Sequence, residues 1–141
     1  MADRNFSKAV EGWVRGTTVE MDQQVRAIIL ALFRSVILGT PVDKGRARGN
    51  WQTTVGAPAV GTLDTHDPSG AGSVADVTAN SGGSGVVTWL TNNLPYIGKL
   101  EFGGYRDGPK TIGGFSTQAP QGMVRVNLAR IAALLQSNRR P

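Results

Sequence analysis

The feature that most constrains the fold is a long apolar stripe that ends abruptly at a glycine and a proline. Its residues recur at steps of four and three, which places them on one face of an α-helix. The stripe consists of Met21, Val25, Ile28, Leu32 and Val36. Gly39 suits the left-handed position that ends a helix, and Pro41 cannot continue one. The pattern predicts a long helix over about 18–38, either preceded by a short helix near 5–15 or joined to it through a kink.

Further along the chain, strand-forming runs alternate with helical patterns. The runs at 50–55 and 86–91 predict two strands. Pro95 suits the first position of a short helix that would end at Gly103. A second stripe, at steps of four, three and four, predicts a C-terminal helix over about 121–138. This stripe consists of Val124, Leu128, Ile131 and Leu135.

The order of these elements indicates one α+β domain over residues 1–141, in which the N-terminal and C-terminal helices pack on a small antiparallel or mixed sheet. Glycine is frequent, at 19 residues, and two glycine-rich stretches predict long loops at about 56–85 and 104–118. A weak strand signal lies at 73–78. We interpret the first loop as an arm that contacts a neighbour or as a mobile hairpin, since a structureless loop of this length is unusual in a compact domain.

Composition excludes several classes of protein and leaves the meaning of the charge open. The chain has no cysteine, which excludes disulfides and thiolate metal sites. The longest apolar run, 27–33, is too short to span a bilayer, and the first residues lack the pattern of a signal peptide. We therefore expect no membrane association, and assembly in a bacterial cytoplasm. The net charge of +5 fits a nucleic-acid partner or a solvated surface, and the charges are spread along the chain.

Candidates for catalysis are few. His66 is the single histidine and lies among turn-forming residues, so we expect neither a metal site nor a catalytic triad there. Glu101 lies in an otherwise apolar segment and could act as a general acid or base if buried. We favour a structural role, in which Glu101 pairs with an arginine such as Arg46 or Arg48 or accepts backbone hydrogen bonds near a turn. The sequence therefore predicts no enzyme activity, no cofactor and no metal.

Arg46 and Arg48 have two interpretations. They could contact DNA phosphates, or they could bind carboxylates within the protein or across an interface, where the planar guanidinium is favoured. Trp51 and Trp89 could stack on bases, but tryptophans on strands are more often part of the core. Since no basic and aromatic platform is evident, DNA binding is an alternative and not the first expectation.

Three separated segments resemble a tail-component family of tailed bacteriophages, whose members are neck, tail-completion and minor tail proteins. The first, 40–51, follows a long N-terminal helix in that family, as here. The second, 91–103, resembles an Asn-x-x-x-Tyr-x-x-x-Leu-Glu-[Phe/Tyr]-Gly pattern, and the third, 116–124, resembles the run into the last helix. The matching residues are Thr40, Pro41, Val42, Asp43, Gly45, Arg46, Arg48, Trp51, Asn92, Tyr96, Leu100, Glu101, Phe102, Gly103, Gln118, Ala119 and Pro120. Lys44 departs from the family, in which threonine is commonest, but leaves the turn intact.

The resemblance implies a structural virion protein of the neck or tail, comparable in role to minor tail protein Z of phage lambda. It implies a homo-oligomeric ring, a hexamer, between a connector or stopper protein and a tail-terminator or tail-tube protein. Such a ring would join or complete the tail and let DNA pass, with non-specific DNA contact in the channel. The loops 56–85 and 104–118 would reach neighbouring subunits. No cofactor and no catalysis are implied.

Alternatives remain open beside this ring hypothesis. Within the same class, the chain could be a tail terminator or a head–tail adaptor. A small basic DNA-binding protein would instead bind DNA tightly as an isolated chain, with steep salt dependence. A hydrolase would depend on His66 and Glu101. In the ring hypothesis, Arg46 or Arg48 pairs with Glu101 and braces the fold where the segments 40–51 and 100–103 meet.

Overall fold

A single long helix opens the fold. The computed structural model describes residues 2–137, and α1 runs from Ala2 to Gly39. The helix predicted over 18–38 is confirmed, and it is continuous with the preceding residues, so the separate short helix near 5–15 was wrong. Gly16 lies inside α1, where a glycine costs only about 1 kcal/mol relative to alanine.

After α1, a short turn leads into the first strand. The one-turn helix α2, Arg46–Gly49, comes first, and β1, Gln52–Val55, follows it. β1 pairs antiparallel with β2, Thr88–Thr91, in a register that places Thr53 opposite Leu90. Both predicted strands are therefore present, although each is shorter than the run that predicted it.

The stretch 56–85 is not a continuous loop, and the strand interpretation of 73–78 was wrong. A ten-residue helix, α3, spans Ala71–Asn80 and packs against α1 and β1. The Asp67 carboxylate caps the N-terminal end of this helix, because its Oδ2 accepts hydrogen bonds from the backbone N–H groups of Gly72 (2.9 Å) and Ser73 (3.1 Å). Val77, which is fully buried, anchors α3 to the core. The middle of the predicted arm thus belongs to the body of the chain itself.

The second glycine-rich stretch also contains regular structure. The helix α4, Ile97–Phe102, ends at Gly103 as predicted, but Pro95 is not its first residue, since the N-cap is Tyr96. Within the predicted loop 104–118, β3, Thr111–Ile112, pairs antiparallel with β4, Phe115–Ser116. Gly113 and Gly114 both have positive φ, at 59° and 90°, which is the conformation that a two-residue hairpin turn requires. The glycine pair is therefore a turn between two short strands.

The last helix, α5, spans Val124–Ser137 and completes an α+β fold with two small antiparallel sheets. Its predicted stripe is only partly covered, since Leu128 and Leu135 remain 48% and 40% exposed. The buried hydrophobic residues form one small core: Val36, Ile37, Ala47, Trp51, Val77, Leu94, Leu100, Ala119 and Met123. Within residues 2–137, no helix is long and apolar enough to cross a membrane.

Candidate functional site: a junction of three sequence motifs

The turn after α1 is held by buried side chains of the first motif. The Thr40 hydroxyl is fully buried, donates a hydrogen bond to the Val36 carbonyl (2.8 Å) and accepts one from the indole Nε1 of Trp51 (2.8 Å). Asn50, also fully buried, donates to the Arg46 carbonyl (2.8 Å) and accepts from the backbone N–H of Leu63 (2.7 Å). Every one of these groups has a partner, which is the condition for burying polar atoms without a penalty.

Arg48 closes the C-terminal end of α1. Its guanidinium donates to the carbonyls of Leu38 (2.8 Å) and Thr40 (2.9 Å), which lie at the end of the helix. A further hydrogen bond reaches the Pro68 carbonyl (2.8 Å) in the loop before α3. A cation that binds the last carbonyls of a helix also opposes the negative end of the helix dipole. Arg48 therefore joins α1 to the 67–70 loop.

Gly45 permits that loop to approach. Its φ is +85°, and a Cβ at this position would lie 2.4 Å from the Pro68 nitrogen and 2.7 Å from the Asp67 nitrogen. The Gly45 carbonyl accepts hydrogen bonds from the N–H groups of Gly49 (2.9 Å) and Asp67 (3.0 Å). Only glycine fits both the conformation and the contact.

The second motif is bonded to the first through Asn92. The Asn92 amide donates to the Ala47 carbonyl (2.9 Å), and its oxygen accepts from the N–H of Leu94 (3.2 Å). Leu94 and Ala47 are both part of the core. The asparagine therefore fixes the end of β2 against the α2 turn.

The third motif is bonded to the first through Gln118. Its side-chain amide forms a reciprocal pair with the backbone of Val42, accepting from the N–H (2.8 Å) and donating to the carbonyl (2.9 Å). This pairing imitates a rung of a β-ladder and holds the segment after β4 beside the turn after α1.

Glu101 joins the second motif to the third. Its Oε2 accepts from the N–H groups of Met123 (2.7 Å) and Val124 (2.8 Å), and its Oε1 accepts from the backbone N–H (3.0 Å) and Nε (3.0 Å) of Arg125. These donors are the free N–H groups at the start of α5, so Glu101 caps that helix from 22 to 24 residues away in sequence. We call this set of contacts, made by Thr40, Arg48, Trp51, Asn92, Glu101 and Gln118, the motif junction.

Opposing effects act on the Glu101 carboxyl group. Burial by itself raises the pKa, but the backbone N–H donors of Arg125, Val124 and Met123, together with the Arg125 side chain, outweigh it, so the pKa lies below its ordinary value. Glu101 is therefore an ionised carboxylate at neutral pH, with both oxygens occupied. A general base needs a free lone pair within reach of substrate, and this carboxylate does not offer one.

The predicted partner of Glu101 was wrong. Neither Arg46 nor Arg48 pairs with it; the ion pair is with Arg125, whose guanidinium also donates to the Glu101 carbonyl (2.7 Å) and lies 4.6 Å from the centre of the Phe102 ring. Arg48 is turned towards helix carbonyls, and Arg46 is exposed. The alternative expectation, that Glu101 accepts backbone hydrogen bonds near a turn, is confirmed.

The remaining motif residues divide between core and surface. Buried or half-buried are Pro41, Val42, Tyr96, Leu100, Gly103 and Ala119, whereas Asp43, Phe102 and Pro120 are exposed. Gly103 has φ +85°, and the Phe115 ring lies 3.1 Å from where its Cβ would be. Reasoning from the sequence missed the bonds of Arg125 to Glu101, although Arg125 lies within the predicted C-terminal helix, and those of Asn50, which lies within the first motif. A long-range cap leaves no local signal.

His66 is exposed. Within residues 2–137, no group of three or more histidine, aspartate or glutamate side chains could hold a metal ion. His66 lines two surface clefts, and Glu101 lines neither. The two residues on which a hydrolase would depend are therefore not presented to one cavity.

One of these clefts, of about 490 Å³, lies beside the motif junction. Buried Ala47 and Leu100 lie at its base, and three exposed cations, Lys44, Arg46 and Lys110, lie around its rim. The reciprocal hydrogen bonds between Val42 and Gln118, both lining residues, join its two sides. We call this the cationic cleft.

Comparisons of the chain with protein-family models, with curated proteins and with solved structures found no match.

Proposed function

We propose that this chain is a non-enzymatic structural protein of a tailed bacteriophage, a subunit of a homo-oligomeric ring at the head–tail interface or the top of the tail. The ring joins or completes the tail and lets DNA pass. Support comes first from the three motifs, because residues from each one bond to the others: Asn92 to Ala47, Gln118 to Val42, and Glu101 to Met123. Segments that resemble one family thus act as one physical unit in this fold.

The chain exposes more solvent-accessible surface than a compact monomer of its mass, and this excess is the main support for a ring subunit. The chain has a solvent-accessible surface of 9388 Å², whereas a compact monomer of its mass, 14.9 kDa, exposes about 7000 Å². A standard interface buries about 800 Å² on each partner. The excess, roughly 2400 Å², is sufficient for the two neighbours that each subunit has in a closed ring.

Two helical segments expose nearly all of their described side chains: residues 8–21 of α1 and 128–137 of α5, which we call the helical arms. In the first arm, every residue whose side chain is described is exposed; in the second, all are exposed except Ile131, which is half-buried. The arms carry large apolar side chains at 40–55% exposure: Val19, Met21, Leu128, Leu134 and Leu135. Exposed apolar surface of this kind marks interfaces between proteins.

An apolar groove lies at the base of the α5 arm and can receive such a surface. It has a volume of about 200 Å³ and is lined by Leu32 and Phe33 of α1, Trp89 and Leu90 of β2, and Leu128 of α5. Trp89 is 39% exposed there. We assign a second copy of the chain as the occupant of this groove. The arms of that copy supply apolar side chains to fill it, and the excess surface area is sufficient for two neighbours.

The assembly that follows is a hexamer between a connector or stopper protein and a tail-terminator or tail-tube protein. Six copies at +5 each carry a formal charge of about +30, which favours passage of a polyanion through the channel. Assembly takes place in the host bacterial cytoplasm, and the product is part of the virion neck or tail. The stations of tail terminator and head–tail adaptor belong to the same class of ring.

Two experiments test the proposal. Negative-stain microscopy of the concentrated full-length chain should show closed rings with a central channel. Cryo-electron microscopy of the phage particle should show several copies around the DNA path at the neck or the top of the tail. A single copy per particle, or no contact with neck or tail, would contradict the proposal.

A small basic DNA-binding protein is the second candidate, and the cationic cleft is the observation that favours it. This candidate requires tight binding by the isolated chain, with a dissociation constant far below the 10⁻⁴–10⁻⁶ M, approximately, of non-specific binding at physiological salt. The ring proposal requires only weak binding per subunit, because contacts add up around the ring. A titration of the isolated chain with DNA separates the two.

A further inference from the structure

The cationic cleft has a rim whose charges are not used by the fold. The side chains of Lys44, Arg46 and Lys110 are exposed, and the described carboxylates Asp22 and Glu101 form their ion pairs with Arg26 and Arg125 instead. The three rim cations therefore remain solvated and available to a ligand. Arg48, from the same motif, differs, because its guanidinium is fully engaged with carbonyls.

The three cations come from both sides of the cleft. Lys44 lies in the turn after α1 and Arg46 begins α2, whereas Lys110 precedes β3. The hydrogen bonds between Val42 and Gln118 hold these two sides together. The fold thus keeps the backbone segments that carry these cations beside one another. Asp43 is the only carboxylate that lines the cleft, so the lining is net positive.

Tyrosines supplement the charges. Tyr96 and Tyr105 both line the cleft, and the Lys99 ammonium lies 5.6 Å from the centre of the Tyr105 ring. Burial, and then the neighbouring Tyr96, raises the pKa of Tyr105, so that its hydroxyl stays a neutral hydrogen-bond donor at neutral pH. The side chains of lysine and arginine and the hydroxyl of tyrosine commonly contact phosphate and sugar oxygens.

We propose that the cationic cleft binds the phosphodiester backbone of nucleic acid, with Lys44, Arg46 and Lys110 as the phosphate contacts. A phosphodiester strand carries one charge per nucleotide, which in a duplex is one charge per about 3.4 Å of helix axis, so a single backbone can meet cations on both sides of an open cleft. These three residues contact phosphates and not the edges of bases, and the binding is therefore independent of the nucleotide sequence. For its biological setting this inference rests on the proposed ring, in which the cleft would face the DNA path.

The test uses the isolated full-length chain and a short fluorescent DNA duplex of mixed sequence, with anisotropy measured from about 50 to about 200 mM salt. With three contacts, the slope of log K against log salt is about −2.7. The double variant Arg46→Gln/Lys110→Gln should reduce the steepness of that slope by about two and lower the affinity at low salt by more than about tenfold. The matched control, Lys8→Gln/Arg34→Gln, removes the same charge from exposed positions of α1 and should change both much less.

Three results would overturn the inference. The first is the absence of DNA binding at about 50 mM salt, and the second is an equal loss of DNA affinity in the two double variants. The third is more efficient competition by poly-glutamate than by unlabelled DNA, which would identify the cleft as a site for an acidic protein. Failure here is distinguishable from failure of the ring proposal, because the oligomeric mass of the wild-type chain is measured without DNA. The cleft variants should retain that mass.

Discussion

The motif junction and the helical arms are built on opposite principles. In the junction, polar groups from distant parts of the chain satisfy one another: the buried Glu101 carboxylate accepts hydrogen bonds from N–H groups more than twenty residues away, and Gln118 bonds to Val42 across 76 residues. In the arms, large apolar side chains such as Leu134, at 55% exposure, have no cover within the chain. In the proposed ring, the junction stabilises the subunit and the arms bind its neighbours. Substitutions in the two regions should therefore separate folding from assembly.

The largest loss of stability is expected at Glu101. Replacing it with alanine leaves three backbone N–H groups at the start of α5 without their acceptor and should lower the free energy of unfolding by about 3 kcal/mol. Glu101→Gln keeps one carbonyl oxygen and should cost less. Urea unfolding at a concentration where the chain is monomeric measures both. Asp64→Ala, at an exposed carboxylate, is the control, and a loss at Asp64 as large as that at Glu101 would refute the capping role.

Arg48 and Arg46 provide a matched pair two residues apart. Arg48→Ala removes hydrogen bonds to the carbonyls of Leu38, Thr40 and Pro68 and should lower the free energy of unfolding by about 2 kcal/mol. Arg46→Ala removes an exposed side chain and should change it by less than about 0.5 kcal/mol. Equal effects in the same unfolding assay would show that α1 does not depend on this cap.

Two glycines test the packing of the junction against an open site. A Cβ at Gly122, where φ is +80°, would lie 2.6 Å from the Glu101 carbonyl oxygen and 2.7 Å from its Oε2, so Gly122→Ala should cost about 2 kcal/mol through strain and a displaced cap. At Gly98, in α4, a Cβ meets nothing within 4 Å, and Gly98→Ala should stabilise the helix by roughly 0.5–1 kcal/mol. Thermal melting of both variants shows whether the signs differ. Shifts in the same direction would contradict the tight contact at Gly122.

The lowered pKa of Glu101 makes part of the stability depend on pH. A carboxyl group whose pKa is depressed in the folded state contributes its stability above the unfolded pKa and loses it as the pH falls through the folded pKa. Stability should therefore decline below the ordinary value of 4.5, at no more than about 1.4 kcal/mol per pH unit from this group. Glu101→Gln should lack that component. It is measured as the difference between the wild-type chain and the variant when the free energy of unfolding in urea is plotted against pH. Parallel profiles would mean that Glu101 is not held ionised by its donors.

Periodic and local signals predicted the helices α1, α4 and α5 and the strands β1 and β2. Stop signals such as Gly39 and Pro41 act through neighbouring residues, and the sequence displays them. The helix α3 was missed because its start depends on the Asp67 side chain and its burial on contacts with α1 and β1, neither of which leaves a strong periodicity in a segment rich in glycine, alanine and serine. The partner of Glu101 was missed for a related reason, since the choice between Arg48 and Arg125 depends on where α5 begins in space.

The smallest effect on unfolding, and the largest on assembly, is expected in the arms. Leu134→Glu/Leu135→Glu introduces charge at exposed apolar positions of α5 and should change the free energy of unfolding by less than about 0.5 kcal/mol. Gln136→Glu/Ser137→Glu adds the same charge to the same helix without removing apolar surface and is the matched control.

The mass of the assembled protein tests the central claim most directly. Native mass spectrometry of the full-length chain should show a closed oligomer at a multiple of 14.9 kDa, retained by Gln136→Glu/Ser137→Glu and lost to folded monomer in Leu134→Glu/Leu135→Glu. A wild-type chain that stays monomeric at high concentration, or a leucine double variant that keeps the oligomeric mass, would contradict the assignment of the arms to subunit contacts.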